Sequence, residues 1–281
     1  MLNHKTSLLS ALTVGLFLTA CQADTKPEAP EAMVEKTETV AEEMKAEMKA
    51  EMKAEPKKIS WSYSGDNGPE HWASLSEGFA TCASGTVQSP FDITADKTDT
   101  LPALNLNYVP TGMTVINNGH TIQVDQAGGG QLVVGNDTYN LLQFHFHTAS
   151  EYSIDGKFYP LEVHLVHASD AGELAVVGVM FAEGEANAEL ANIWANMPAS
   201  KGENVVQGQS VDVKNLLPDN GQYYRFMGSL TTPPCSEGVN WHVMSQPITA
   251  SAEQIAAFKA IFSMNARPLQ AENDRMVVLG K

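Results

Sequence analysis

The stretch QFHFH at residues 143–147 constrains this chain more than any other part of its sequence. Side chains alternate between the two faces of an extended strand, so His145 and His147 lie on the same face. An Asp-Gly pair follows at 155–156 between apolar residues, and such a pair predicts a β-hairpin. If those two residues form the loop, His147 lies directly across from His164 on the second strand.

This register gathers three imidazoles and two carboxylates on one face of the hairpin. The two carboxylates belong to Glu151 and Glu162, and the same face also carries Gln143 and Val166. Polar groups buried without partners lose free energy, so packing alone does not account for such a set. The face therefore predicts a metal site. His167 has the opposite parity and is expected to have a structural role, whereas Pro160 marks a bulge or an edge that would change the register.

Short extended segments separated by turn residues occupy much of the chain on either side of the hairpin. Those before it are 104–108, 114–117, 121–124 and 132–134. The apolar run Leu174–Phe181 predicts a central strand. Helices are expected at Ala186–Asn196 and after Ser251, which forms a capping-box pattern with Gln254. The regular spacing of strands and turns indicates a fold dominated by β-sheet.

The first 21 residues have the pattern of an export signal. The apolar run Leu8–Leu18 is too short to span a bilayer as a mature helix. The sequence LTAC ending at Cys21 resembles a lipobox, in which the cysteine is lipidated; cleavage with an unmodified Cys21 is the alternative. Gln22 resembles the sorting residue of outer-membrane lipoproteins. We therefore expect an exported protein of the cell envelope or periplasm, attached to the outer membrane only through a lipid on Cys21.

The composition of residues 22–58, which contain the repeat EMKA, predicts a charged tether. Its glutamates, like its lysines, recur every four residues, so like charges would repel along a helix. Residues 59–281 form one expected domain with 23 Asp and Glu against 9 Lys and Arg, a net charge of −14. This balance argues against nucleic acid or anionic lipid as a partner, because no basic patch is available to neutralise phosphates.

The cysteine count is consistent with export. The chain has three cysteines, an odd number for an exported protein. If Cys21 is lipidated, Cys82 and Cys235 remain, and an oxidising compartment would allow them to form a disulfide.

Seven separated motifs between Trp61 and Gln270 resemble those of the α-class carbonic anhydrases. They are NGPEHW, QSP, NNGH, QFHFH followed by SE, EVHLVH, SLTTPP and NARPLQ. The resemblance implies a mainly β fold, with a central twisted, mostly antiparallel sheet of about ten strands and short peripheral helices. It also implies reversible hydration of carbon dioxide to bicarbonate and a proton by zinc-bound hydroxide. Because exported bacterial members are often dimers, a homodimer is an expected assembly.

The resemblance assigns a role to each matching position. The zinc ligands are His145, His147 and His164, held by Gln143 and Glu162. The other catalytic residues are the proton shuttle His120 and the orienting pair Glu151 and Thr231. The residues that order the proton path are Tyr63, Asn118 and Gln123. The residues expected to bind carbon dioxide are Val166, Val176, Leu230, Thr232, Val239 and Trp241. Cys82 and Cys235 resemble the disulfide of exported members.

One position departs from the family pattern, and two other classes of protein remain as alternatives. Tyr152 stands where the family usually has histidine, so we expect altered packing beneath the site. The spacing His-x-His-x3-Glu also matches a cupin, in which Glu151 would be a ligand of manganese or iron, but the second cupin motif is missing around His164. A binding module without activity is the other alternative, although such modules typically lack one or more metal histidines.

Overall fold

The computed structural model describes residues 59–281, and all structural statements below concern this range. The predicted signal peptide at residues 1–21, with Cys21, and the predicted tether at 22–58 lie outside the described residues. None of the helices within 59–281 has the length and apolar character needed to cross a membrane.

Fifteen strands are present in the described range. They are β1 (Asp92–Ile93), β2 (Lys97–Asp99), β3 (Leu104–Tyr108), β4 (Thr111–Asn117), β5 (Ile122–Asp125), β6 (Gly130–Val134), β7 (Asp137–His147), β8 (Ser153–Ile154), β9 (Leu161–Ala168), β10 (Leu174–Glu183), β11 (Gly202–Val211), β12 (Tyr223–Ser229), β13 (Glu237–Met244), β14 (Ile248–Ala250) and β15 (Val278–Gly280). The predicted segments 104–108 and Leu174–Phe181 are strands, as expected.

Thirteen of these strands form one large sheet. Its main path runs β11-β4-β5-β7-β9-β10-β13-β12-β15-β2, while β3 and β6 extend from β7 and β14 pairs with β10. Most pairings are antiparallel, but β13 and β14 run parallel to β10, and β2 runs parallel to β15. The predicted fold with one large, mostly antiparallel sheet is confirmed; the sheet has thirteen strands where about ten were expected.

Four short α-helices lie at the periphery: α1 (Trp72–Leu75), α2 (Thr81–Ser84), α3 (Ala188–Trp194) and α4 (Ala252–Ile261). Three 3-10 turns accompany them, at Gly65–Asn67, Glu77–Phe79 and Val213–Leu216. The capping box predicted at Ser251 and Gln254 is present at the start of α4. Asn187 caps α3 by accepting hydrogen bonds from two backbone N–H groups.

The alternation of side chains along the strands divides the core between the two faces of the sheet. On one face, Phe144 and Phe146 of β7 pack with Leu190 of α3 and Phe258 of α4. On the other face, Val176, Trp241 and their neighbours form a second apolar cluster. His145 and His147 alternate with Phe144 and Phe146, so the histidines lie on the face of this second cluster.

The register predicted for the histidine hairpin is wrong by two residues. His145, not His147, lies across from His164, and His147 lies across from Glu162. The predicted turn is nevertheless present, because Ile154 and Lys157 form an antiparallel bridge around 155–156. A shift of two residues preserves side-chain parity, so the three histidines still share one face.

The shift arises because the first arm of the hairpin leaves the ladder. Between the pair His147–Glu162 of the ladder and the pair Ile154–Lys157 of the turn, the first arm contains residues 148–153 and the returning arm residues 158–161. The first arm is therefore two residues longer. Ser153 and Ile154 instead pair in parallel with β1. A hydrogen bond from the N–H of Ser150 to the carbonyl of Tyr159 holds the arms together beyond this point.

Candidate metal centre

Three histidine rings from adjacent strands converge on one point. β7 supplies His145 and His147, and β9 supplies His164. The ring centroids of His145 and His147 are 5.0 Å apart, and those of His147 and His164 are 4.6 Å apart. One ring nitrogen of each histidine lies within 4.8 Å of the corresponding nitrogens of the others. These three residues could therefore bind one metal ion.

The second nitrogen of each ring contacts a hydrogen-bond partner that fixes the orientation of the ring. Nδ1 of His145 lies 2.9 Å from Oε1 of Gln143. Nδ1 of His147 lies 2.8 Å from the carbonyl oxygen of Asn265. In His164 the roles are reversed, since Nε2 lies 2.9 Å from Oε1 of Glu162. The nitrogens directed at the common point are therefore Nε2 of His145, Nε2 of His147 and Nδ1 of His164. Ligating histidines are typically oriented in this way, by a hydrogen bond at the nitrogen that does not bind the metal.

Burial keeps the three imidazoles neutral at pH 7. It lowers the pKa of His147 to about 4 and that of His164 to about 3. The pKa of His145 falls well below its usual value, first through burial and then through the neighbouring histidines. Metal ions bind the neutral imidazole, so these side chains do not have to lose a proton at neutral pH.

Glu151 lies beside the three histidines, although for a different reason from the one predicted. It belongs to the segment that leaves the ladder, and not to the strand. Its Oε2 lies 3.5 Å from Nε2 of His147, and its Oε1 accepts a hydrogen bond from the N–H of Arg267 at 2.9 Å. Burial raises its pKa, while His147, the Arg267 N–H and the Thr231 side chain lower it.

The centre passes a chemical test for a metal ion. Nε2 of His147 is buried and has no hydrogen-bond partner among residues 59–281, which is costly unless another group binds there. Three neutral imidazole nitrogens without a thiolate suit zinc, which in catalytic sites takes three protein ligands and leaves a fourth position open. The residues present therefore fit such an ion.

A cavity of about 160 Å³ opens over the histidines. Besides His145 and His147, its lining includes six residues that the sequence predicted for the site: Tyr63, Asn118, His120, Gln123, Gln143 and Thr232. The ring of His120 stacks on that of Trp61, with centroids 3.7 Å apart. The side chain of Asn118 accepts hydrogen bonds from the N–H groups of His120 and Thr121, which fixes the turn that presents His120.

An apolar wall adjoins the same histidines. It consists of Val176, Val239 and Trp241 of the second apolar cluster, with the partly buried Val166 and Leu230 packed against them. The ring of Trp241 lies 4.9 Å from that of His164 between centroids. The structure thus places a cavity lined by predicted polar residues over His145 and His147, and Trp241 of the predicted apolar wall beside His164.

The segment that follows β12 carries Thr231 and is held at both ends. The N–H of Leu230 donates to the carbonyl of Ser236, and that of Cys235 donates to the carbonyl of Thr232. Cys82 and Cys235 form a disulfide with their Cα atoms 5.0 Å apart. The segment therefore presents Thr231 on a constrained backbone.

Asn265 is a site residue that the sequence did not predict. In addition to its carbonyl contact with His147, its side chain donates to the carbonyls of His120 and Phe146 and accepts from the N–H of Thr148. Its main contribution to the histidines is a backbone carbonyl, which every residue carries. No sequence pattern identifies such a contact.

A sheet face with a three-histidine group that could bind a metal ion, a cavity above it and an apolar wall beside it is the arrangement found in metalloenzymes with three-histidine sites. Residues 67–280 match the family described as eukaryotic-type carbonic anhydrase. The chain belongs to this family, the α-class carbonic anhydrases, and is an enzyme of that family. This membership excludes the cupin alternative.

Individual relatives agree with the family match. A carbonic anhydrase of Nostoc sp. is 44% identical over 228 residues, covering 79% of this chain and 86% of the relative. The solved structure of the Photobacterium profundum α-carbonic anhydrase has a TM-score of 0.73 at 47% identity, covering 78% of this chain and all of that one. The Thermovibrio ammonificans enzyme, solved with the inhibitor sulfanilamide, has a TM-score of 0.76 at 43% identity, covering 78% and 99%.

Proposed function

We propose that residues 59–281 form a zinc-dependent carbonic anhydrase that interconverts carbon dioxide with bicarbonate and a proton. The observation that carries the proposal is the convergence of three neutral ring nitrogens, each oriented through the opposite nitrogen, as described above. In this proposal His145, His147 and His164 are the zinc ligands. Gln143, Glu162 and the carbonyl of Asn265 hold them.

A zinc ion held by these three histidines would act as a Lewis acid and make water nucleophilic at neutral pH. Glu151 and Thr231 orient the nucleophile. Glu151 is buried, and the Thr231 side chain lowers its pKa, as a hydroxyl directed at the carboxylate would. With its O–H directed at Glu151, Thr231 keeps its lone pairs to accept a hydrogen bond from the nucleophile. This arrangement aims the nucleophile at the substrate.

Carbon dioxide binds against the apolar wall, with Thr232 at its edge. The molecule is uncharged and has no hydrogen to donate, so an apolar surface accepts it without leaving a polar group unpaired. The same surface keeps bulk water away from the reacting atoms. Bicarbonate is charged and interacts less favourably with this wall, which helps the product to leave.

His120 carries the released proton between the cavity and the solvent. It is half-buried at the edge of the cavity, and imidazole is a side chain that can both take up and release a proton. Tyr63, Asn118 and Gln123 line the same cavity and offer hydroxyl and amide groups that order water between His120 and the centre.

The enzyme is exported and anchored through a lipid on Cys21, with residues 22–58 as a tether to the outer membrane. The buried disulfide supports export, since such bonds persist in oxidising compartments such as the periplasm. Mass spectrometry of the membrane fraction tests the lipid on the N-terminal cysteine. Sedimentation of the domain tests the expected homodimer.

Carbon dioxide hydration by the purified domain tests the proposed function. Stopped-flow measurements should show zinc-dependent turnover that a chelator removes and added zinc restores. Hydration no faster than in buffer, with one equivalent of zinc bound, would refute the proposal.

His164→Ala tests the ligand set. The variant should lose its zinc on dialysis and its activity with it, because two histidines cannot complete the centre. His167→Ala is a matched control, since His167 is also buried on β9 but faces away from the centre. Full zinc occupancy in His164→Ala, measured by elemental analysis, would contradict the assignment.

His120→Ala tests the proton path. Turnover should fall by about a hundredfold in weak buffer, the lower end of what positioned proton-transfer groups typically contribute. Imidazole in the buffer should restore it, because a small base can replace the missing ring. His71→Ala, which alters an exposed histidine, should leave turnover unchanged. Equal rates for His120→Ala and the unmodified domain would remove the shuttle role.

A further inference from the structure

The hydroxyl of Tyr152 makes a buried hydrogen bond directly beneath the candidate centre. It donates to Oγ of Ser89 at 2.7 Å, and both residues are fully buried. The tyrosine ring is held by edge contacts with Phe91 and Trp241, at 5.6 Å and 5.0 Å between centroids. The ring therefore cannot swing away from Ser89 without disturbing the aromatic core.

Ser89 joins this hydroxyl to the segment that carries Thr231. Its Oγ accepts from the N–H of Ser229 at 3.1 Å, and its own N–H donates to Oγ of Ser229 at 2.8 Å. Ser229 lies two residues before Thr231. Its carbonyl also accepts from the indole N–H of Trp241 at 3.1 Å. The reciprocal pair of serines thus fixes the backbone from which Thr231 projects.

Ser89 and Tyr152 are also connected to Glu151. The carbonyl of Ser89 accepts from the Arg267 guanidinium at 2.7 Å, and the N–H of Arg267 donates to Glu151. In addition, the N–H groups of Glu151 and Tyr152 both donate to Oε2 of Glu162, at 2.7 and 3.2 Å. The phenol of Tyr152 therefore bridges the backbone that carries Glu151 and the backbone that carries Thr231.

We propose that Tyr152 is a positioning residue for the carbonic anhydrase reaction, which fixes Thr231 relative to Glu151 through Ser89 and Ser229. This inference rests on the proposed function. Thr231 and Glu151 act as a pair only while their oxygens keep hydrogen-bond distance. A bridge between the two backbones that contains only buried, hydrogen-bonded groups limits how far they can move apart.

Tyr152→Phe tests the proposal, since it removes only the hydroxyl. We expect kcat/KM for carbon dioxide hydration to fall by about tenfold at full zinc occupancy. Tyr223→Phe is the matched control. It removes a hydroxyl that donates to the carbonyl of Pro102, also at 2.7 Å, from the core on the opposite face of the sheet. Its kcat/KM should stay within about twofold of the unmodified value.

Hydrogen exchange in the metal-free protein gives a readout that is independent of activity. In Tyr152→Phe the amides of Ser89 and Ser229 should exchange faster, while Tyr223→Phe leaves them unchanged. Unchanged exchange at both amides would overturn the proposed bridge, even if the unmodified domain failed to hydrate carbon dioxide. Faster exchange with kcat/KM within about twofold of the unmodified value would overturn the positioning role and leave a structural one.

Ser89→Ala and the double variant separate the bridge from a general loss of stability. If the two hydroxyls act as one unit, adding Tyr152→Phe to Ser89→Ala should lower kcat/KM little further. With cobalt in place of zinc, the visible absorption spectrum reports on the metal site. The pH at which this spectrum changes should differ between Tyr152→Phe and Tyr223→Phe. Multiplicative losses, with identical spectra for these two variants, would contradict the proposal.

Discussion

Two buried histidines outside the metal centre show how single residues differ in their partners. His167 lies 2.8 Å from the hydroxyl of Tyr108 and 3.2 Å from the carbonyl of Ala175. His242 is equally buried, but neither of its ring nitrogens makes a well-aligned hydrogen bond in the described part of the chain, although the Val176 backbone raises its pKa. Burial lowers the pKa of His167 to about 4, and burial with Arg225 and His167 lowers that of His242 to about 3.

His242→Leu should make the metal-free domain less sensitive to acid. The unfolded chain binds a proton at His242 below about pH 6.5, whereas the folded chain does so only near pH 3, so stability is lost as pH falls between these values. Between pH 7 and pH 5 the free energy of unfolding should therefore fall by about 2 kcal/mol less in the variant than in the unmodified domain.

Denaturant unfolding at the two pH values measures this gain. His167→Leu serves as the comparison, because it should already destabilise the domain at pH 7 by leaving the hydroxyl of Tyr108 unpaired. If His242→Leu and the unmodified domain lose stability in parallel on acidification, the explanation for His242 is wrong.

At the scale of secondary-structure elements, Gln254 connects two helices that are distant in sequence. Its Oε1 accepts from the N–H of Ser251 and thereby completes the capping box of α4. The same side chain accepts from the N–H of Asn187 and donates to the carbonyl of Asn187, the residue that caps α3. A local capping signal thus also has a tertiary role.

Gln254→Ala should therefore cost more than Ser251→Ala. Loss of the Ser251 cap should lower the free energy of unfolding by about 1 kcal/mol. Loss of Gln254 should lower it by about 2–3 kcal/mol, because the half-buried backbone N–H and carbonyl of Asn187 also lose their partner. Denaturant unfolding at pH 7 compares the two variants, and equal costs would show that the link between the helices contributes nothing.

At the scale of the whole molecule, the disulfide joins the N-terminal part of the domain to the segment that carries Thr231. Cys82 and Cys235 are 153 residues apart in sequence. Cross-links over such long loops restrict the unfolded chain strongly, at least in the chain-entropy account. Arg267 adds to this connection by donating to the carbonyl of Cys82.

Replacing both cysteines by serine should lower the free energy of unfolding by about 4 kcal/mol. A reducing agent should have a similar effect on the unmodified domain and none on the variant. Thermal unfolding with and without the agent provides the measurement. An unchanged melting temperature on full reduction, verified by thiol titration, would contradict the expected contribution.

Much of the site could be predicted from the sequence because strand periodicity is a local property. The spacing of His145 and His147, together with the parity of His164, predicted that the three rings share a face. Parity is unaffected by a shift of two residues, so this prediction was right although the register was wrong. The separated motifs added the fold and the cavity lining, since each reflects a local backbone or side-chain requirement.

Only the tertiary structure decided how distant segments complete the centre. Glu151 reaches the histidines from a segment outside the ladder. The hydrogen-bond partner that orients the ring of His147 is the backbone carbonyl of Asn265. The hydroxyl of Tyr152 meets Ser89, which is 63 residues away in sequence. The sequence by itself determined which histidines share a face, because that follows from alternation along a strand. It could not determine which backbone groups hold them, because those contacts depend on how loops distant in sequence pack together.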